Sequence, residues 1–140
     1  MNEQEIRQAL STLEMYKAQA ESLAEQQQII NFSLEEYSRA RDTLSKWKDA
    51  SEGAELLVPV GGNSFVFAKV ADNQKALVGV GSGVTVEKPL GEAIKTLETR
   101  INELAEAGKK VTESLTMLEA RSSQLSQIVQ AEYERLQGQG

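Results

Sequence analysis

Both flanks of this chain carry a four-three spacing of apolar residues, sustained too long for a single compact core to absorb. From Met1 to Glu52 there is neither Gly nor Pro, and Ala, Leu, Glu, Gln and Lys dominate, the residues that enter a helix at least cost. Stepping by three and four gives Ile6, Ala9, Leu13, Tyr16, Ala20, Leu23, Gln27, Ile30, Leu34, Tyr37, Arg41 and Leu44, ten of the twelve being apolar or aromatic. The last flank repeats the design with Leu90, Ile94, Leu97, Ile101, Leu104, Gly108, Val111, Leu115, Leu118, Ser122, Leu125, Val129, Glu132 and Leu136, eleven of the fourteen aliphatic. This is the signature of a coiled coil. Each helix would run to roughly 70 Å at about 1.5 Å per residue. One apolar stripe cannot be buried by a lone helix, so each flank needs a partner, and the other flank is the nearest.

Between the flanks the pattern changes. Six of the ten glycines, at 53, 61, 62, 79, 81 and 83, punctuate runs of β-branched and aromatic residues. The alternation predicts strands over Glu55 to Val60, Ser64 to Ala71, Lys75 to Val80 and Val84 to Lys88. Their connections are Gly61-Gly62-Asn63, Asp72-Asn73-Gln74 and Gly81-Ser82-Gly83, each short enough for a hairpin. A chain that leaves and re-enters one small sheet brings its flanks together, so the helices can run side by side in opposite directions. Pro89 suits the start of the second helix, and the Gly138-Gln139-Gly140 end suits fraying. The expected fold is therefore α+β: a long antiparallel two-helix coiled coil joined by two consecutive β-hairpins. It divides into an N-terminal coiled-coil helix (1–52), a double-hairpin segment (53–88) and a C-terminal coiled-coil helix (89–140).

Composition narrows the function classes. The formal charge of −6 arises from 21 acidic and 15 basic residues, and the acidic excess sits on the flanks while residues 53–88 balance at three and three. Binding to phosphates by counterion release needs clustered Lys and Arg, and no segment offers a basic stripe, so nucleic acid and anionic membrane are poor partners. There is no Cys and no His, which removes disulfides, thiolate metal sites, the usual zinc ligands and the commonest base and nucleophile. No metal or cofactor is expected, no stretch is apolar enough for a membrane helix, and a reducing cytoplasm is the natural setting. The carboxylate clusters Glu35-Glu36, Glu103 with Glu106 and Glu132 with Glu134 are what a solvated helix carries by default. Gly79-Val80-Gly81-Ser82-Gly83 lies between strands and lacks the helix N-terminus of a phosphate loop, and Gly108-Lys109-Lys110 lies inside a helix. Nothing in these residues points to an enzyme.

The strands point to assembly instead. Leu56, Leu57, Val58, Phe65, Val66, Phe67, Val70, Leu77, Val78, Val80, Val84 and Val86 make the middle segment too apolar to stay wet and too small to form a stable sheet alone, and all but Val70 and Leu77 are expected to join subunits. Bare edges of this kind invite pairing, and pairing with other subunits into β-barrels removes the hazard.

At these residues the chain resembles a family. Leu56-Leu57-Val58-Pro59-Val60-Gly61-Gly62, Ser64-Phe65-Val66 and Val78-Gly79-Val80-Gly81-Ser82-Gly83-Val84-Thr85-Val86-Glu87-Lys88 are similar to the middle segment of the alpha class of prefoldin subunits, which carries two hairpins where the beta class has one. The helix, double hairpin, helix order extends the likeness over the whole chain. The resemblance implies a chaperone subunit that holds unfolded polypeptides without ATP and passes them to a group II chaperonin. It implies a hexamer of two alpha and four beta subunits, a double β-barrel body and six protruding coils whose free ends grip the client. Carried onto this chain, the gripping residues are Ile6, Leu10 and Leu13 with Ile128, Val129, Tyr133 and Leu136. Leu10, Ile128 and Tyr133 fall beside the seams, where a side chain either widens the packed stripe or stays open to a client. Ile29, Phe32 and Met117 are also beside the seams, but their mid-coil position suits packing. A structural or adaptor coiled coil that recognises one folded partner is the competing reading.

Overall fold

A computed structural model of the chain describes residues 1–138. Helix α1 spans Glu3–Asp49, the strands β1 Glu55–Gly61, β2 Ser64–Lys69, β3 Lys75–Gly81 and β4 Val84–Pro89 follow, and helix α2 spans Leu90–Gly138. The frayed end expected at Gln139 and Gly140 lies outside the described residues, while Gly138 is still helical. The second helix begins at Leu90, one residue after Pro89, which closes β4 instead.

Helix α1 is capped at both ends. Asn2 Oδ1 accepts the Glu5 amide at 2.8 Å and Glu5 Oε2 accepts the Asn2 amide at 3.3 Å, a reciprocal arrangement that satisfies donors the first turn leaves free. At the far end Asn73 Nδ2 donates to the Ala50 carbonyl at 2.9 Å, and Trp47 Nε1 donates to the Asp72 carbonyl at 2.7 Å. Trp47 thus ties α1 to the β segment.

The chain forms two compact units. One comprises Met1–Asn31 and the α2 residues from Glu106 onward. Here Ile6, Ala9 and Val129 form a buried cluster, with Met1, Leu13 and Leu125 packed against it. Further along, Thr112 Oγ1 donates to Gln27 Oε1 at 3.3 Å beside the buried Gly108, so the two helices run antiparallel.

The other unit comprises Phe32–Ala105. Its helices are antiparallel too, with Arg100 lying over the Tyr37 ring and, nearer the strands, Gly91 beside Lys48. Its buried residues are Val70, Val78, Leu90, Ala93 and Leu97. All twelve seam positions of α1 are buried or half-buried, as are those of α2 except Leu136. A four-three stripe therefore locates the packed face throughout both helices, whereas Ile29, Phe32 and Met117, expected to pack from beside the seams, are exposed.

Among the described residues the middle segment is two sheets rather than one: β1 pairs only with β2, and β3 only with β4, each antiparallel. Asp72-Asn73-Gln74 is not a hairpin turn. Its polar groups are engaged with the end of α1 and with each other, Asp72 Oδ1 accepting the Gln74 amide at 2.7 Å, so the chain turns away after Lys69.

The two hairpins are built alike. Each has a two-residue turn with positive φ at both positions, Gly62 and Asn63 in one and Ser82 and Gly83 in the other, the geometry that matches the twist of flanking strands. Each has a register shift just before the turn, between Pro59 and Gly61 or between Gly79 and Gly81. Twenty residues separate equivalent positions, and Leu57/Leu77, Val58/Val78, Val60/Val80, Gly61/Gly81 and Val66/Val86 are identical across the repeat. The equivalence extends to the core, because Val70 donates its amide to Ala54 and Leu90 donates its amide to Gln74, each at 2.9 Å, and both side chains are fully buried.

Those two bonds fix which residues face the ladder. In β1 and β3 the even-numbered residues bond across the hairpin, and the odd-numbered ones turn their amides to the free edge, because ladder-facing residues alternate.

Candidate functional site

The side-chain faces follow from the same alternation. Opposite residues share a face, so Leu56, Val58, Val66 and Ala68 lie on one side of the first hairpin and Leu57, Pro59, Phe65 and Phe67 on the other. Leu56, Val58 and Ala68 are half-buried against the chain, whereas Leu57, Phe65 and Phe67 are 55%, 57% and 75% exposed. In the second hairpin Val78 is buried and Ala76 half-buried, while Leu77, Val80, Val84 and Val86 remain exposed. Of the residues expected to join subunits, Leu57, Phe65, Val66, Phe67, Val80, Val84 and Val86 are thus open, Leu56 and Val58 are partly used by the chain itself, and Val78 belongs to its core. Leu77 and Val60, also exposed, extend the open set. Strand parity, applied through the twenty-residue repeat, is the signal that finds Leu77 as the counterpart of Leu57. Covering an exposed Leu or Phe fully is worth roughly 1.5–3 kcal/mol, so a handful of these side chains is a large driving force for association.

The second surface is formed by the first turns of α1 and the last turns of α2, within the unit that holds Ile6 and Val129. Those two are 5% and 7% exposed and pack with Ala9, and Leu13 leans on the same cluster. Leu10, Ile128, Tyr133 and Leu136 stay 43%, 44%, 52% and 39% exposed. An open groove of about 480 Å³ is lined by Ile6, Leu10, Tyr133 and Leu136, with Glu3 and Arg7 among its polar residues. The residues named for gripping a client therefore separate into a supporting set, Ile6, Leu13 and Val129, and an open set, Leu10, Ile128, Tyr133 and Leu136. Beside them Glu132 accepts from the Met1 amino group at 3.0 Å and from Arg135 at 2.9 Å, and these hydrogen bonds hold its carboxyl below the ordinary range.

Elsewhere, Arg100 donates to Glu103 at 3.3 Å, and its neighbours Tyr37 and then Glu103 hold the guanidinium pKa above its ordinary value. Gly79 to Gly83 is the end of β3 and its turn, and Gly108-Lys109-Lys110 is helical. Among the described residues no cluster of His, Cys, Asp and Glu could hold a metal ion, and no helix is long and apolar enough to cross a membrane.

Two antiparallel helices joined by a pair of β-hairpins with uncovered apolar strands define a coiled-coil subunit class. The family model described as prefoldin subunit matches residues 16–135. The chain belongs to the prefoldin family, a family of chaperone subunits, and to its alpha class. It is 35% identical over 130 residues to prefoldin subunit alpha of Pyrococcus horikoshii, covering 92% of this chain and 88% of that one. It is 36% identical over 109 residues to prefoldin subunit alpha of Methanothrix thermoacetophila, covering 78% and 71%. Among solved structures, a chain of the filamentous PFD from Methanocaldococcus jannaschii, determined by cryo-EM, superposes with a TM-score of 0.65 at 28% identity, covering 82% of this chain and 95% of that one.

Proposed function

We propose that this chain is a holdase subunit that captures unfolded polypeptides, without ATP, at the free ends of its helices and delivers them to a group II chaperonin. The observation that carries the reading is the open apolar set Leu10, Ile128, Tyr133 and Leu136 around a groove whose floor is held by Ile6. Apolar side chains on an open groove bind many sequences weakly, and several such ends in one assembly convert weak contacts into avidity. The hairpins supply that assembly: their exposed faces join beta-class prefoldin subunits into a hexamer of two alpha and four beta chains, with the strands closing into β-barrels. The setting is the cytoplasm, and neither nucleic acid nor membrane is a partner.

The test is the aggregation of a chemically denatured protein, followed by light scattering, with the chain assembled with a beta-class subunit and no nucleotide present. Suppression that rises with the ratio of assembly to client is the expected result. Unchanged aggregation over a range of ratios overturns the reading, and saturable binding to one native protein alone would favour an adaptor instead.

A further inference from the structure

Within the unit that holds Ile6 and Val129, one side of the helix pair has a surface unlike the rest of the chain. An open groove of about 430 Å³ there has Gln19 and Ser22 of α1 and Ser114, Met117 and Arg121 of α2 in its lining. Residues seven apart lie on the same side of a coiled helix. Met15 and Ile29, one heptad before and after Ser22, therefore continue this side, as does Ile128, one heptad after Arg121. Met15, Ile29 and Met117 are each more than half exposed, Ile128 slightly less, and none is a seam residue. Charge is distributed as unevenly as the apolar surface. Between Gln8 and Ile29 of α1 and between Ala107 and Ile128 of α2 the acidic residues are Glu14, Glu21, Glu25, Glu113 and Glu119, and steps of seven from the groove lining reach none of them. The charged residues that do fall on this side are Arg121 and Lys110, one heptad before Met117. Neither makes an ion pair among the described residues. In a chain of net charge −6, an acid-free side with two unpaired cations is the exception.

We propose that this side is a track for client segments: an extended stretch of unfolded polypeptide in which apolar and acidic residues alternate lies along Ile128, Met15, Met117 and Ile29, its carboxylates meeting Arg121 and Lys110. The chemistry of the side selects that occupant. Methionine is unbranched and polarizable and packs against many shapes, which suits a partner of no fixed sequence, and two of the chain's three methionines are here. Two cations with no carboxylate beside them favour a partner that brings its own. Ile128 adjoins Val129, which packs with Ala9, so the stripe runs from the level of Ala9 to Ile29, about 30 Å at roughly 1.5 Å per residue. An extended segment covers that length with about nine residues at roughly 3.3 Å each. This assignment rests on the capture reading above, and extends it from the helix ends toward mid-coil and from unfolded chains in general to acidic segments. The ends make the first contact, because a few separated side chains hold a segment only once it is tethered nearby.

The test uses the chain assembled with a beta-class subunit and two labelled peptides. Both peptides carry the same apolar half for the helix ends, and they differ in a nine-residue half in which Leu alternates with Glu or with Lys. Fluorescence anisotropy should show the Glu peptide binding more tightly than the Lys peptide. Arg121→Glu, a change at an exposed residue, should weaken the Glu peptide by about two- to fivefold, the scale of one exposed ion pair, with helical signal unchanged and the Lys peptide not weakened. A photo-crosslinking residue at Ser22 should capture the Glu peptide, and the same residue at Ala24, exposed on the other flank of the seam, should not. A complex that neither suppresses aggregation nor binds either peptide overturns the capture reading itself. A complex that suppresses aggregation while Ser22 and Ala24 capture the peptide equally, or while Arg121→Glu leaves the Glu peptide unchanged, overturns the track alone. Capture at Ser22 of a second copy of the chain in place of the peptide makes this side a contact between copies and overturns the track as well.

Discussion

Gly108 occupies a seam position of α2 and is buried. Glycine inside a helix costs about 1 kcal/mol relative to alanine, so its presence needs a packing reason. A Cβ there would lie 3.3 Å from Ile30 Cγ2 and 3.4 Å from Gln27 Nε2, and Gln27 is itself engaged with Thr112 and Asn31. The missing side chain admits Ile30 and leaves the Gln27 hydrogen bonds intact. Gly108→Ala should therefore shift the unfolding free energy by less than about 1 kcal/mol, since gained helix propensity offsets a small displacement of one methyl. Gly108→Leu should lose about 1–3 kcal/mol through overpacking. Urea denaturation followed by helical signal measures both, and a Leu variant as stable as wild type would show that the helices are not close here. Heptad counting alone places Gly108 on the seam. It cannot name Ile30 as the neighbour, because the meeting of two stripes depends on their mutual register and not on either stripe. Asn2 and Glu5 are a different case: Asn-x-x-Glu ahead of a helical run is a readable cap signal.

Among elements, the hairpins were legible from glycine punctuation and alternation, down to the strand bounds within one or two residues. Their separation into two sheets was not. Asp72-Asn73-Gln74 has the composition of a tight turn, and only the tertiary demand for a partner at the Ala50 carbonyl and the Trp47 indole draws it to the helix end. The turns themselves carry a prediction. Asn63 and Ser82 sit at φ of 57° and 53°, a region that costs most side chains about 1–2 kcal/mol and glycine almost nothing. Asn tolerates it better than Ser, so the second hairpin carries the larger local strain. Ser82→Gly should raise the thermal midpoint of the assembled complex, and Asn63→Val, which places a β-branched residue at positive φ, should lower it. Calorimetry of the complex decides, and a rise with Asn63→Val would contradict the turn assignment.

For the whole molecule, the residues proposed for capture and those proposed for assembly lie in different compact units, so the two activities should be separable by substitution. Replacing Leu10, Ile128, Tyr133 and Leu136 together by Ser removes the open apolar set while leaving Ile6, Ala9 and Val129 packed. These four are between 39% and 52% exposed, so their loss should little affect helical content or the mass of the complex with a beta-class subunit. Suppression of client aggregation should fall to near the level seen without the complex. The contrasting variant, Ile6 and Val129 to Ser, strikes the buried pair. Each such change should cost about 2–5 kcal/mol, the range for deleting a buried aliphatic side chain, and should unravel the helix ends, with a measurable loss of helical signal. If the fourfold Ser variant suppresses aggregation as well as wild type, clients are held elsewhere on the assembly. In that case the exposed helix ends serve packing or partner recognition instead of capture.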